Sequence, residues 1–374
     1  MEIARRLALC VLVVALLPCG TGAQSAPARQ TVTFVQLTDA HLFDDDQRKN
    51  SDALVWAITK INGLVSAGTT IDFVVYTGDL GLRAVIFQSD LCDLAPREAE
   101  KIPKLHLLNQ ALDTLAKELN ELAVRKLYFV PGNNDLAYEE LRDIGRYQCF
   151  LTQLRASLHK LAEESHVHSS PLELAALGPE STLEIGGIRL LGFNTASLKN
   201  HEKYQQWCSK PPETADEYAI WAACPQVQID QLSKSLQTTA SAVLFTHIPY
   251  LKDPHPPRAE KLPRAWDIEE TLRAEWEQEA CGKNVVAIFA GHFHDGNRDF
   301  YGARGRQPLR VTECVANKSW VAPPLAAKYQ ERQAVQARGL LLATITSAEV
   351  THCTIYWFYG ETGPANNTTA SPCQ

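Results

Sequence analysis

A chain of 374 residues with 45% hydrophobic side chains is long enough for one large domain or two modest ones. Its formal net charge of -7 at pH 7 argues against nucleic acid as a bulk partner, because nonspecific binding to a polyanion needs clustered Lys and Arg side chains. No stretch beyond the amino terminus reaches about 18 apolar residues, so the sequence predicts no transmembrane segment.

The amino terminus, residues 1–23, has the pattern of a signal peptide. A basic pair precedes an apolar run over residues 7–17, which is too short to span a bilayer, and small residues at 21–23 offer a cleavage site. A proline directly before Cys19 argues against a lipid anchor on that cysteine. We therefore expect an exported protein, periplasmic or secreted.

Strand and helix patterns alternate along the first part of the chain, and the later part is richer in strands. This alternation is typical of an α/β fold. Apolar residues at helical spacing predict helices over 53–64, after a capping Ser51, and over 107–124 and 228–237. Apolar, β-branched runs predict strands at 32–37, 71–76, 126–130, 183–185, 188–193, 242–245, 285–290, 309–314, 340–345 and 350–358.

Three stretches are predicted to be loop insertions, and residues 360–374 are predicted to be a flexible tail because they are small and polar. The insertions lie near 82–104, 196–226 and 251–265. Aromatic residues in the second insertion either stack on a substrate or pack the loop itself.

Eight of the ten cysteines lie beyond the predicted signal peptide. An even number in an oxidising compartment indicates disulfides. The spacing C-x-x-C, which is typical of zinc ribbons and thioredoxin-type redox motifs, does not occur. Cys208 and Cys224 bracket a short excursion of the chain, and we expect a disulfide between them.

Short polar motifs follow five of the predicted strands. Side chains at the carboxyl ends of neighbouring strands converge on one crevice of an α/β sheet, and Asp, His and Asn are ligands for divalent metals. One Asp or Asn after a strand is ordinarily a turn residue or helix cap, so only the set points to a site. In chain order the motifs are Asp39-Ala40-His41, Gly78-Asp79, Gly132-Asn133-Asn134-Asp135, Thr246-His247 and Gly291-His292-Phe293-His294.

This series resembles the calcineurin-like metallophosphoesterases, whose motifs read D-x-H, G-D, G-N-H-[DE], H and G-H-x-H. The third motif departs from that pattern and the others match in full. The resemblance implies one domain over residues 24–359 with an α/β fold, a four-layer αββα sandwich of two mixed β-sheets flanked by helices.

The resemblance also implies a site for two divalent metal ions, Mn, Fe or Zn. A carboxylate between two cations about 3.5–4 Å apart offsets their repulsion, and the pair can bind both the attacking and the leaving oxygen of a phosphoryl displacement. A hydroxide shared by the metals would be the nucleophile. The implied ligands are Asp39, His41 and His294 for one ion and Asn133, His247 and His292 for the other, with Asp79 as the bridge.

The departure from the family lies at Asn134, where the usual residue is a His oriented by the acid that follows, here Asp135. That His is thought to protonate the leaving oxygen, whereas Asn can donate a hydrogen bond but cannot transfer a proton at useful pH. Three explanations are open for this departure. The substrate has a leaving group that needs no acid, another residue supplies the proton, or the protein has lost catalysis. Among possible replacements, His255 in a proline-rich loop is favoured over three histidines that are ordinarily solvated. These are His166, His168 and His201.

The sequence therefore predicts an enzyme that hydrolyses a small phosphorylated substrate, either a phosphodiester or a phosphoanhydride. One alternative is a phosphomonoesterase of the same fold, which Asn134 disfavours because alkoxide leaving groups benefit most from an acid. The other alternative is a metal-containing binding protein that has lost catalysis.

Overall fold

Two β-sheets lie face to face at the centre of the fold, and helices cover their outer faces. The computed structural model describes residues 31–42, 47–82, 103–136, 142–165, 170–196, 208–209, 212–213, 221–248, 275–276, 278–279, 283–292, 319–323, 325, 338–358 and 370–372. Its longer helices are α1 (Gln47–Ser66), α2 (Pro103–Asn120), α3 (Arg142–Ser165) and α4 (Pro225–Ser235). Its strands are β1 (Val32–Leu37), β2 (Phe73–Thr77), β3 (Lys126–Val130), β4 (Glu173–Ala176), β5 (Glu184–Ile185), β6 (Ile188–Phe193), β7 (Ser241–Thr246), β8 (Val285–Ala290), β9 (Ser319–Val321), β10 (Arg338–Ile345), β11 (Val350–Phe358) and β12 (Ala370–Pro372).

Both sheets are mixed. The seven-stranded sheet has the order β12-β11-β10-β1-β2-β3-β4, in which β1 to β4 run parallel and β10 to β12 pair antiparallel. The five-stranded sheet has the order β5-β6-β7-β8-β9, in which β6 to β9 run parallel. Neighbouring parallel strands therefore end together at one edge of each sheet.

Aromatic side chains fill the space between the two sheets. Phe34 stacks on Phe73 at 5.0 Å and meets Phe245 and Phe289 of the other sheet edge-on at 5.4 and 4.8 Å. Burying such a side chain contributes roughly 1.5–3 kcal/mol. Further buried clusters join the seven-stranded sheet to α1, α2 and α3 and the five-stranded sheet to α4. These layers confirm the predicted αββα sandwich.

Most predicted elements are present, with shifted ends. Strands β1, β3, β6, β8 and β11 have the predicted bounds, and the hairpin between β5 and β6 turns at Gly186 and Gly187, whose φ angles are 58° and 75°. Two positive φ angles are what a two-residue hairpin turn requires. The prediction of Ser51 as a helix cap is wrong, because α1 already begins at Gln47. Helix α3 and the short strands β4 and β9 are not among the predicted elements, and the predicted strand at 309–314 lies outside the described residues.

The predicted Cys208–Cys224 disulfide is confirmed, with a Cα–Cα distance of 5.7 Å. The disulfide ties Cys208 to the start of α4, because α4 begins at Pro225, directly after Cys224. Cys149 and Cys353 are also disulfide-bonded.

Part of the predicted flexible tail has a regular structure, because β12 pairs with β11 at the edge of the larger sheet. The signal peptide and the insertion at 251–265 lie outside the described residues, as does most of the insertions at 82–104 and 196–226. Within the described ranges, no helix combines the length and the apolar character that crossing a bilayer requires.

Candidate metal centre

The candidate site lies at the carboxyl ends of five parallel strands. Strands β1, β2 and β3 are neighbours in one sheet, and β7 and β8 are neighbours in the other. The two sheets face each other, so these ends form one rim. Around it stand Asp39 and His41 after β1, Asp79 after β2, residues 132–135 after β3, His247 after β7 and His292 after β8.

Glycines let the segments of this rim touch. A Cβ atom on Gly132 would overlap the backbone nitrogen of Asp79, and one on Gly291 would overlap Oγ1 of Thr38. The Gly291 N–H donates to the carbonyl oxygen of His247 at 2.9 Å. Only glycine allows such close approach of backbone and neighbour, which explains why both motifs contain it.

Four non-glycine residues with positive φ occur in the described part of the chain, and all four are predicted metal ligands. The φ angles are 54° at Asp39, 44° at His41, 61° at Asp79 and 78° at His292. This left-handed region is uncommon for residues with a side chain, although Asp and His adopt it more readily than most. Such conformations cluster at functional sites, where the surrounding structure holds them.

The first group of possible ligands consists of Asp39, His41 and Asp79, which are all buried. Nε2 of His41 lies 3.6 Å from Oδ2 of Asp79. Oδ2 of Asp39 accepts a hydrogen bond from the His292 N–H at 2.8 Å, and the Thr38 hydroxyl lies 2.6 Å from the same oxygen. These contacts aim the carboxylate of Asp39 across the gap between the sheets.

The second group consists of Asp79, His247 and His292. Nε2 of His247 lies 3.3 Å from Oδ1 of Asp79, 3.1 Å from Oδ1 of Asn133 and 3.2 Å from Nδ1 of His292. Oxygen and nitrogen atoms with lone pairs therefore converge on one point. Asp79 belongs to both groups, and its two carboxylate oxygens face different histidines.

A contact on the Nδ1 side of the His247 ring fixes its orientation. Its Nδ1 lies 2.7 Å from the carbonyl oxygen of Thr77, which can only accept, so Nδ1 carries a proton and Nε2 points into the site. Burial opposes the charged form of His247, but the carboxylates of Asp79 and Asp39 outweigh it and raise the pKa to about 9. A proton on Nε2 occupies the position that a metal ion would take.

Asn134 contacts Asp79 with two donors. Its backbone N–H donates to Oδ1 at 2.7 Å and its side-chain Nδ2 donates to Oδ2 at 2.5 Å. A carboxylate has about four lone-pair sites, and these two hydrogen bonds use one site on each oxygen. The amide group therefore holds the plane of the Asp79 carboxylate.

Asp135 is fully buried and braces the loops after β2 and β3. Its Oδ2 accepts from the N–H groups of Asp79 and Gly132 at 2.8 and 2.9 Å, and its Oδ1 accepts from Gly81 at 3.1 Å. Burial and the charge of Asp79 raise the pKa of Asp135 to about 7, against the opposing effect of these hydrogen bonds. The carboxyl group of Asp135 therefore holds the backbone at Asp79 in place.

Tyr76 supports the site although no sequence motif marks it. Its buried hydroxyl accepts from the Ala40 N–H at 2.7 Å and donates to the Asp79 carbonyl oxygen at 3.2 Å, so it joins the first two motifs. Burial and the charge of Asp135 raise its pKa well above 10. A tyrosine at the end of an apolar strand gives no sequence signal for this role, because it is equally common in ordinary cores.

Several predicted residues cannot be placed. His294 and the candidate proton donor His255 lie outside the described residues, as do His166, His168 and His201.

The residues present fit divalent metal ions. In each group the possible ligand atoms lie within 4.8 Å of one another, and imidazole and carboxylate ligands suit Mn, Fe and Zn. Three fully buried carboxyl groups, those of Asp39, Asp79 and Asp135, also make positive charge at this place favourable. The geometry is thus suited to two cations that share Asp79.

Known proteins similar to this chain include one family and one solved structure. The family model described as calcineurin-like phosphoesterase matches residues 32–311. Among solved structures, the chain is similar to a dimetal phosphatase from Danio rerio at 12% identity and a TM-score of 0.45, over 87% of this chain and 95% of that chain. Comparison with curated proteins gives no match. Since the family model covers most of its length, the chain belongs to the calcineurin-like phosphoesterase family and is a metal-dependent hydrolase of phosphoric esters.

Proposed function

We propose that the protein hydrolyses a small phosphodiester or phosphoanhydride at a site for two divalent cations. The observation that carries this proposal is the position of Asp79. Its Oδ2 faces His41 and its Oδ1 faces His247, so one carboxylate can contact two ions. We assign Asp39, His41 and His294 to one ion and Asn133, His247 and His292 to the other.

Two bound cations would bind phosphoryl oxygens and lower the pKa of a coordinated water from about 15.7 toward roughly 7. The protein's own contribution is orientation. His247 is held by the Thr77 carbonyl group, and Asp79 is held by Asn134 and by the backbone contacts of Asp135. Asp135, predicted among the catalytic residues, is therefore proposed as a positioning residue.

Asn134 supports the choice of substrate class. Its side chain cannot supply a proton, and its amide N–H is directed at Asp79. A leaving group that departs as a stable anion needs no proton in the transition state. Phosphoanhydrides and aryl or nucleotidyl diesters meet that condition, whereas alkyl monoesters do not. For substrates that need an acid, His255 remains our proposed donor.

We also propose that the chain is exported after removal of residues 1–23. All four cysteines of the described residues are disulfide-bonded, and such bonds persist mainly in oxidising compartments. Thiol titration of the protein isolated from its native cells and then unfolded should find no free thiol at these positions. Reduced cysteines there would contradict export.

A substrate panel tests the function directly. Purified protein is loaded separately with Mn²⁺, Fe²⁺ and Zn²⁺ and assayed on bis-p-nitrophenyl phosphate, p-nitrophenyl phosphate, cyclic nucleotides and nucleotide-sugar pyrophosphates. We expect turnover on diesters or pyrophosphates that exceeds turnover on the monoester. Preference for the monoester would favour the phosphomonoesterase, and metal uptake without turnover on any substrate would favour the binding protein.

A further inference from the structure

Gln36 is a polar side chain in the aromatic layer between the two sheets. It lies on β1 two residues after Phe34, so both side chains point to the same face of the strand. Gln36 is fully buried, and its strand leads directly to Asp39. An amide at this depth needs hydrogen-bond partners, because burying it without them is costly.

Its side chain connects the two sheets. Nε2 donates to Oγ1 of Thr77 in the same sheet and to the carbonyl oxygen of Ala290 in the other sheet, each at 2.8 Å. The carbonyl oxygen of Ala290 only accepts, so the nitrogen must point at it. Both hydrogens of the amide are therefore used, one toward each sheet.

Both partners of this amide lead to predicted metal ligands. Ala290 ends β8 and lies two residues before His292. Thr77 ends β2 and lies two residues before Asp79, and its carbonyl oxygen accepts from Nδ1 of His247 at 2.7 Å. One side chain thus contacts the segments that hold ligands from opposite sheets.

Fold stability alone does not explain why a glutamine occupies position 36. Oε1 of Gln36 is buried and accepts no hydrogen bond in the described part of the chain, and an unsatisfied acceptor destabilises the folded state. Ala290 would keep a donor without Gln36, because the Ala322 N–H also reaches its carbonyl oxygen at 3.0 Å. An apolar side chain of similar length would avoid the cost of Oε1.

We propose that Gln36 is a positioning residue that fixes the separation of the two sheets beneath the metal centre. This rests on the proposed two-metal function. The amide sets the distance from His247 and His292 on one side to Asp79 on the other, and a two-metal site depends on that distance. Residues that orient metal ligands typically change metal affinity by about 10–100-fold when they are replaced.

The test is Gln36→Leu, with Gln36→Met as a second variant should Leu pack poorly. Metal affinity is measured by titrating metal-free protein with Zn²⁺ in a chelator competition, and stability by urea denaturation of the metal-free protein. We expect about 10–100-fold weaker metal binding with an unchanged or higher denaturation midpoint. For a hydrolysed ester, KM should change less than kcat, because the displaced side chains would hold the metal ions that act on the reacting phosphoryl group.

The matched control is Thr33→Val, at the other end of the same strand. Its hydroxyl shares a hydrogen bond with that of Thr344 at 3.0 Å, so Val removes one contact between strands far from the rim. This variant should lose some stability and keep wild-type metal affinity.

The proposal is overturned if both Gln36 variants bind metal within twofold of wild type, or if they lose stability as the control does with no separate loss of metal affinity. The phosphoesterase proposal fails differently. Wild-type protein that binds two metal ions tightly but hydrolyses none of the esters would refute that function and leave the role of Gln36 in metal binding intact.

Discussion

Replacing Asp135 with Asn isolates the cost of a buried charge from the benefit of its hydrogen bonds. Asn keeps the size of the side chain and one oxygen, which can still accept from the N–H groups of Asp79 and Gly132. Its NH₂ group would replace Oδ1 and face the Gly81 N–H, which lies 3.1 Å from Oδ1 in the wild type. One acceptor is lost, and two donors then face each other.

Two opposing energies set the size of the effect in metal-free protein. The mismatched donors cost about 1–3 kcal/mol. Against this, the pKa of Asp135 is raised from 3.8 to about 7 by burial and the charge of Asp79. At about 1.36 kcal/mol per pKa unit, ionised Asp135 destabilises the folded state by up to about 4 kcal/mol. The Asn side chain carries no such cost.

The sign depends on pH. Because its pKa is raised on folding, Asp135 holds its proton more tightly in the folded state, and the stability this gives is present below pH 3.8 and lost as pH rises to about 7. The amide of the Asp135→Asn variant does not titrate. At pH 4.5 the wild type has already lost about 1 kcal/mol of this stability, so the metal-free variant should be less stable there by up to about 2 kcal/mol, and it should be more stable at pH 8 by about 1–3 kcal/mol.

Urea denaturation of chelator-treated wild type and Asp135→Asn between pH 4.5 and 8.5 measures this crossing. A second titration with Zn²⁺ should show about tenfold weaker metal binding in the variant, because Asp135 holds the backbone of Asp79. Parallel stability curves for the two proteins over the whole pH range would refute the view that Asp135 is a buried, destabilised carboxylate.

Three further predictions concern other parts of the molecule. The pKa of His247 is raised from 6.5 to about 9, so its contribution to metal-free stability is full below pH 6.5 and lost as pH rises through 9. Asp79→Asn should reduce that loss, because Asp79 is the larger of the two carboxylate contributions and Asp39 remains; denaturation between pH 6 and 10 measures it. Asn134→His should raise kcat for alkyl phosphoesters and leave p-nitrophenyl esters nearly unchanged, because only poor leaving groups need the proton; a loss of activity on all substrates with intact metal content would contradict this. Replacing Cys208 and Cys224 with Ser should lower stability by about 2–5 kcal/mol, and an unchanged thermal midpoint would contradict a stabilising role.

The sequence predicts the architecture well where the local pattern and the final packing agree. Strands β1 and β8 are largely apolar and β-branched, and they are buried between layers, so their bounds follow from composition. Helix α3 also has apolar residues at helical spacing, at 147, 150, 151, 154 and 158, but Gly145 weakens its first turn. Strand β9 has only three residues, and such short strands are determined by pairing at a sheet edge more than by their own sequence.

The positions of the candidate ligands follow from strand ends, but their support does not. That Asp39 and His292 come together requires two sheets to be packed, and no spacing along the chain encodes that distance. The hydroxyl of Tyr76 and the amide of Gln36 act across such contacts. The left-handed backbone at Asp39 and Asp79 is likewise a property of the assembled rim, because neither residue type requires it.

We propose that one carboxylate, that of Asp79, joins two metal positions. Elemental analysis of metal-replete wild type and of Asp79→Ala, purified in parallel, tests it most directly. We expect about two divalent ions per wild-type chain and loss of both in the variant, because the cations repel each other without the bridge. One ion or none in the wild type, or two retained by Asp79→Ala, would contradict it.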